Sequence, residues 1–194
     1  EAPMRYAFKA ALFAAVSLTA LPAFAQNAEG ELVVTATRIK APITNLPADV
    51  TIVDADTALS RGQTTLSQAL EDTPGLGVVQ AGGIGQQTSL FAGGANSYHA
   101  LVLFDGLRIN DPSTPNSSFD AGQDQVNGLS RIEIVEGPMS AVFGSDALGG
   151  VINMIARHGR DGALNARLDV AAGSLETMQA AAGVDGTLGN FRYA

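Results

Sequence analysis

The spacing of hydrophobic and polar positions changes several times along the chain, and each change predicts a different element. Residues 10–20 are an uncharged apolar run. Residues 31–38 (ELVVTATR) favour extended structure, and no neighbouring turn signal would pair them locally. Pro42 and Pro47 make residues 41–47 an extended linker. Residues 50–53 (VTIV) predict a short strand. Asp54 can cap a helix over 55–60 that Gly62 stops. Thr65 and Gln68 have capping-box spacing for a second helix over 66–72, ended by Pro74-Gly75. Residues 77–80 predict a strand edge leading into a glycine-rich loop at 81–85.

Residues 101–104 (LVLF) and 107–110 (LRIN) flank Asp105-Gly106, the strongest short-range hairpin signal, because a type I′ turn needs positive φ at both central positions. A long irregular loop follows over 111–125, then a strand over 131–135. Gly137-Pro138 opens a short helix over 139–143, with Pro in the first turn. Residues 151–155 (VINMI) are nearly all apolar and predict a strand buried on both faces. From Ala163 onward the period is two. Leu164, Ala166, Leu168 and Val170 alternate with polar residues, as do Met178, Ala180, Ala182 and Val184. A turn near Gly173-Ser174 joins these runs, and a second turn at 186–190 leads to Phe191 and Tyr193. Such strands suit a transmembrane barrel or a soluble sandwich equally. Because alternation stops inside a strand at Ala194, the sequence is expected to be a fragment.

Composition narrows the chemistry. The 194 residues hold 11 Lys+Arg against 19 Asp+Glu, a net charge of −8, which disfavours phosphate-neutralising nucleic-acid binding. The chain has no Cys and two His, so thiolate chemistry and a paired-imidazole zinc site are excluded. Asp105, Asp111, Asp120 and Asp124 lack EF-hand spacing, and Ser140, Ser145, Asp146 and His158 lack a GxSxG elbow; no catalytic set, metal site or cofactor is expected. Residues 4–25 combine Arg5 and Lys9, the apolar run, Pro22 and a small-x-small Ala23-Phe24-Ala25. That pattern is a cleaved secretory signal with Gln26 as first mature residue and Met4 as initiator. The run is too short for a membrane span, which needs roughly 20 residues.

Three segments in order carry a resemblance: residues 31–38, residues 74–110 (PGLGVVQAGGIGQQ onward) and residues 131–157 (RIEIVEGPMSAVFG onward). Together they resemble the N-terminal region of TonB-dependent outer-membrane transporters, and within that family they are most similar to cobalamin receptors. The resemblance implies an α+β plug domain, a small mixed β-sheet with short helices, followed by the first antiparallel strands of a transmembrane β-barrel. The implied boundaries are a signal peptide at 1–25, a leader with TonB box and linker at 26–47, the plug at 48–158 and the barrel start at 159–194. It implies a receptor, not an enzyme, in the outer membrane of a Gram-negative bacterium. The implied partners are TonB, the barrel assembly machinery for the full-length protein, and a large scarce ligand such as cobalamin or a ferric siderophore.

By the same resemblance Glu31, Leu32, Val33, Val34, Thr35, Ala36 and Thr37 form the TonB-binding segment, which an extended backbone suits because strand addition depends little on side chains. Two loops match the ligand-facing apices: Gln80, Gly83, Ile84, Gln86 and Gln87 in the first, and Asn110, Ser113, Asn116 and Ser117 in the second. Family plugs often carry Arg where this chain has Gly93 and Glu136, so the plug's ion pairs are expected elsewhere, with Arg108, Arg131 and Arg157 as candidates. The alternatives are a stand-alone periplasmic binding module without a barrel and a truncated product without function.

Overall fold

A computed structural model describes residues 33–34, 41–42, 49–173 and 178–194. The expected signal peptide, and Glu31, Leu32, Thr35, Ala36 and Thr37 of the TonB-binding segment, lie outside the described residues. Two short strands, β1 (Val33–Val34) and β2 (Ala41–Pro42), pair antiparallel. Contrary to expectation, the 31–38 segment thus has a local partner, supplied by the linker.

Local chemistry sets the first helices. β3 (Val50–Asp54) runs into α1 (Ala55–Ser60), whose N-cap Asp54 accepts the Thr57 N–H at 2.8 Å. α2 (Leu66–Leu70) opens with a complete capping box, in which Thr65 Oγ1 accepts the Gln68 N–H and Gln68 Oε1 accepts the Thr65 N–H. It ends two residues before the expected Asp72. Both helices are too short to be stable alone, and what holds them is the apolar face they bury. Among the described residues no helix is long and apolar enough to cross a membrane.

The central sheet has five strands in the order β3-β8-β9-β6-β7, where β6 is Ala100–Phe104, β7 Leu107–Arg108, β8 Leu129–Glu136 and β9 Gly150–Ala156. It is mixed: β6 runs parallel to β9, and every other neighbouring pair is antiparallel. Period-two alternation sends Val102, Ile132, Ile134 and Ile152 to one face, packed on Ala55, Leu66 and Leu70 of the helices. Leu101, Leu103, Val135 and Val151 go to the other, packed on Ala147 with Met139 and Phe143. Each fully buried aliphatic side chain contributes about 1.5–3 kcal/mol. β9 is buried on both faces as expected, and Asn153 within it is satisfied by the Gly106 N–H at 3.1 Å. Asp105 (φ 47) and Gly106 (φ 81) form the expected positive-φ turn, and Asp105 fastens it to β9 through the Ala156 N–H.

Pairing also creates elements that the pattern did not announce. β4 (Leu76–Gln80) forms a hairpin with β5 (Thr88–Ala92), a strand not anticipated because Gly93-Gly94 follow it and no polar alternation marks it. α3 is Ser140–Phe143, with Met139 as N-cap, so Pro138 precedes the helix and does not sit in its first turn.

β10 (Asn165–Ala172), β11 (Met178–Leu188) and β12 (Phe191–Tyr193) form an antiparallel meander. β11 continues through Gly186, where a turn was expected. A Cβ there would lie 2.8 Å from the Ala163 carbonyl, so that glycine serves close backbone approach, and the turn is Gly189-Asn190. The apolar row of the meander faces outward, with Leu168 72% and Met178 80% exposed, while in the other row Arg167, Asp169 and Gln179 are half-buried and Asp185 is buried. A sandwich would bury the apolar row. The observed polarity is that of a barrel wall.

Candidate functional site

Two loops stand side by side at one end of the plug. The first, residues 81–87, caps the β4–β5 hairpin. Ala81 donates to the Gln87 carbonyl at 2.9 Å, Gln86 N–H to the Gly83 carbonyl at 3.1 Å, and Gln80 Nε2 to the same carbonyl. The second leaves β7 at Ile109 and returns at Ala121. Asp120 joins them: its Oδ1 accepts both the Thr88 N–H at 2.8 Å and the Gly122 N–H at 3.0 Å. Ala121 donates to the Thr88 carbonyl, and a Cβ on Gly122 would fall 2.1 Å from the Gln86 carbonyl, so only glycine allows this approach.

Of the residues expected to meet ligand, Gln80, Gly83, Ile84, Gln86, Gln87, Ser113 and Asn116 are exposed on these loops, and Ser117 is half-buried. Asn110 is placed differently. It is buried, its Oδ1 accepts the Val102 N–H at 2.8 Å, and its Nδ2 donates to the carbonyls of Ala100 and Ser117. Its amide is committed to holding the loop on β6 and has little left for a ligand. Ser113 gives its hydroxyl and N–H to Asp111 Oδ1, which pulls the Asp111 carboxyl below its ordinary value. Asn116 (φ 63) and Ser117 (φ 52) take the left-handed conformation that turns the loop tip. Val79, 58% exposed beside Gln80, was missed; alternation within 76–80 is its only sequence signal. Asp124 is shifted upward by burial, and secondarily by Asp120.

A second cluster ties the plug to the meander. Asp56 on α1 receives Arg157 in a two-point contact, Nη2 to Oδ1 at 2.6 Å and Nη1 to Oδ2 at 3.2 Å. Arg167 of β10 reaches the same Oδ1 at 3.2 Å and donates to the Asn127 carbonyl at 2.6 Å. The hydrogen bond from Arg157 holds the Asp56 carboxyl below its usual range, against a smaller opposing effect of burial and with added attraction from both arginines. Beyond them Arg160 pairs with Asp185 at 2.9 Å. The other expected cations are engaged within the plug: Arg108 by Asp146, and Arg131 by the fully buried Glu133 at 2.7 Å. Asp56 was not anticipated, since its role depends on three distant chain segments.

The residue types at 93 and 136 also have a local cause. Gly93 has φ +59, and a Cβ there would lie 2.7 Å from the Gly149 carbonyl. The Glu136 carboxylate lies over Gly75, whose own Cβ would fall 1.8 Å from Glu136 Oε2.

Residues 42–151 match the model of the TonB-dependent Receptor Plug Domain family. The siderophore receptor PiuA from Acinetobacter baumannii is 27% identical, with a TM-score of 0.62 over 77% of this chain and 20% of that one. The ferripyoverdine receptor of the Pseudomonas aeruginosa outer membrane superposes with a TM-score of 0.68 at 19% identity, over 82% of this chain and 20% of the receptor. The ferric-catecholate import receptor Fiu from E. coli K12 gives 0.61 at 20% identity, over 81% and 21%. The last two show the fold alone. The chain thus spans about a fifth of the length of the solved structures it matches. With a mixed five-stranded sheet, paired apical loops and a match over more than half its residues, the chain belongs to the TonB-dependent receptor plug-domain family.

Proposed function

We propose that this chain is the plug and first barrel strands of an outer-membrane transporter that imports a ferric siderophore at the expense of energy delivered by TonB. The observation that carries the reading is the outward apolar row of β10–β12 beside a plug whose polar contacts meet the inward row. An exposed apolar sheet face is stable against lipid and an aggregation hazard in water, which weighs against a stand-alone periplasmic module. Siderophore is placed before cobalamin because the three structures above are named for iron uptake or siderophores. Export by a cleaved signal, and insertion by the barrel assembly machinery, follow from this location.

Ligand meets the exposed residues of loops 81–87 and 110–120, and the segment from Glu31 to Thr37 receives TonB. β1 is paired with β2 on one edge, so its other edge is where a partner strand adds. Replacing Leu32 by Pro removes a backbone donor and fixes φ. In the full-length receptor, Leu32→Pro is expected to keep ligand binding and abolish energised uptake. Undiminished uptake would refute the assignment of this segment.

A further inference from the structure

We infer that the face of the ligand meeting the plug is electrically neutral or cationic, as in a ferric trihydroxamate, and is not the polyanionic face of a ferric tris-catecholate. The inference rests on the proposed ligand face and adds its charge preference. Residues 80–87 and 110–120 contain no Lys, Arg or His. Their only ionisable side chains are Asp111 and Asp120. Asp120 spends one oxygen on two backbone N–H groups, and Asp111 accepts both the hydroxyl and the N–H of Ser113. The guanidinium beside the second loop, Arg108, is held by Asp146. What the loops do offer is uncharged: the amides of Gln86, Gln87 and Asn116, each able to donate and accept, and the exposed aliphatic side chains of Val79 and Ile84.

Coordination chemistry separates the ligand classes by charge. Three singly charged hydroxamates neutralise Fe³⁺, whereas three doubly charged catecholates leave a trianion. Binding the trianion here would bring it against two carboxylates and strip its water with no cation to replace it. The neutral complex instead finds amides for its carbonyl and hydroxamate oxygens and aliphatic contacts for its linkers.

The test is isothermal titration of the whole chain in detergent micelles, with its sheet verified by circular dichroism, using a ferric trihydroxamate and a ferric tris-catecholate. The trihydroxamate is expected to bind at least tenfold more tightly. Asp111→Asn, which preserves the loop's acceptor, is expected to raise tris-catecholate affinity several-fold and so narrow the ratio between the two complexes; an unchanged ratio would overturn the charge assignment. Equal or tighter binding of the tris-catecholate by the unaltered chain would overturn the charge assignment while leaving the ligand face intact. Binding of neither complex by a folded chain would overturn the ligand face and the inference together.

Discussion

The contact between Asp56 and the two arginines makes a quantitative claim about how the plug is held to β10. Asp56→Asn removes one carboxylate shared by Arg157 and Arg167 and leaves the two guanidinium groups facing each other. Exposed ion pairs contribute about 0.2–1 kcal/mol. The Asp56 side chain is 64% exposed, which argues for the low end, but Arg157 and Arg167 are only 19% and 24% exposed, which argues for the high end. We therefore expect Asp56→Asn to cost about 1 kcal/mol, a roughly fivefold increase in local opening. Coupling should be the larger share of that value, about 0.7 kcal/mol, for the two-point Asp56–Arg157 pair and about 0.3 kcal/mol for Asp56–Arg167, because Arg167 keeps its bond to the Asn127 carbonyl. Hydrogen exchange of the amides at 166–170, read in a double-mutant cycle with Arg157→Gln and Arg167→Gln, measures both. The Asp56 carboxyl titrates below its ordinary 3.8 in the folded chain. Its contribution is therefore fully present above that pH and fades as pH falls through the lower folded value. Strictly additive changes, or β10 exchange indifferent to Asp56→Asn, would refute the reasoning.

Two further outcomes test the packing. Gly149→Ala would place a methyl 2.6 Å from the Ala92 carbonyl and is expected to cost about 3 kcal/mol by crowding, whereas Gly106→Ala meets nothing and should cost only the 1–2 kcal/mol of its left-handed backbone; thermal unfolding ranks them. Asn110→Ala leaves the Val102 N–H without its acceptor and is expected to cost about 2 kcal/mol in the same assay, while Asn116→Ala on the exposed tip should cost less, about 1 kcal/mol, because Ala tolerates its left-handed backbone less well than Asn.

Local signals determined much of this fold. The Asp54 cap, the Thr65/Gln68 box, the Asp105-Gly106 turn and the apolar run of β9 each act within a few residues, so their consequences were legible before any tertiary contact was known. The period-two alternation after Ala163 likewise established amphipathic strands, but not which row faces out. Alternation is symmetric between a sandwich and a barrel wall, and only the docking of Arg167 onto Asp56 and Asn127 assigned the polar row to the inside.

The candidate site divides the same way. Residue type and loop position were enough to mark Gln86, Gln87 and Asn116 as available polar groups. They could not separate Asn110 from them, because an amide looks the same in sequence whether its partners are ligand or the backbone of β6. Likewise β5 has no signal of its own and exists because β4 offers it a ladder. Asp56 is one of many exposed acids until α1, the end of β9 and β10 converge on it. Hydrogen bonding between distant segments depends on the path of the whole chain, and that path is what the tertiary structure alone decided.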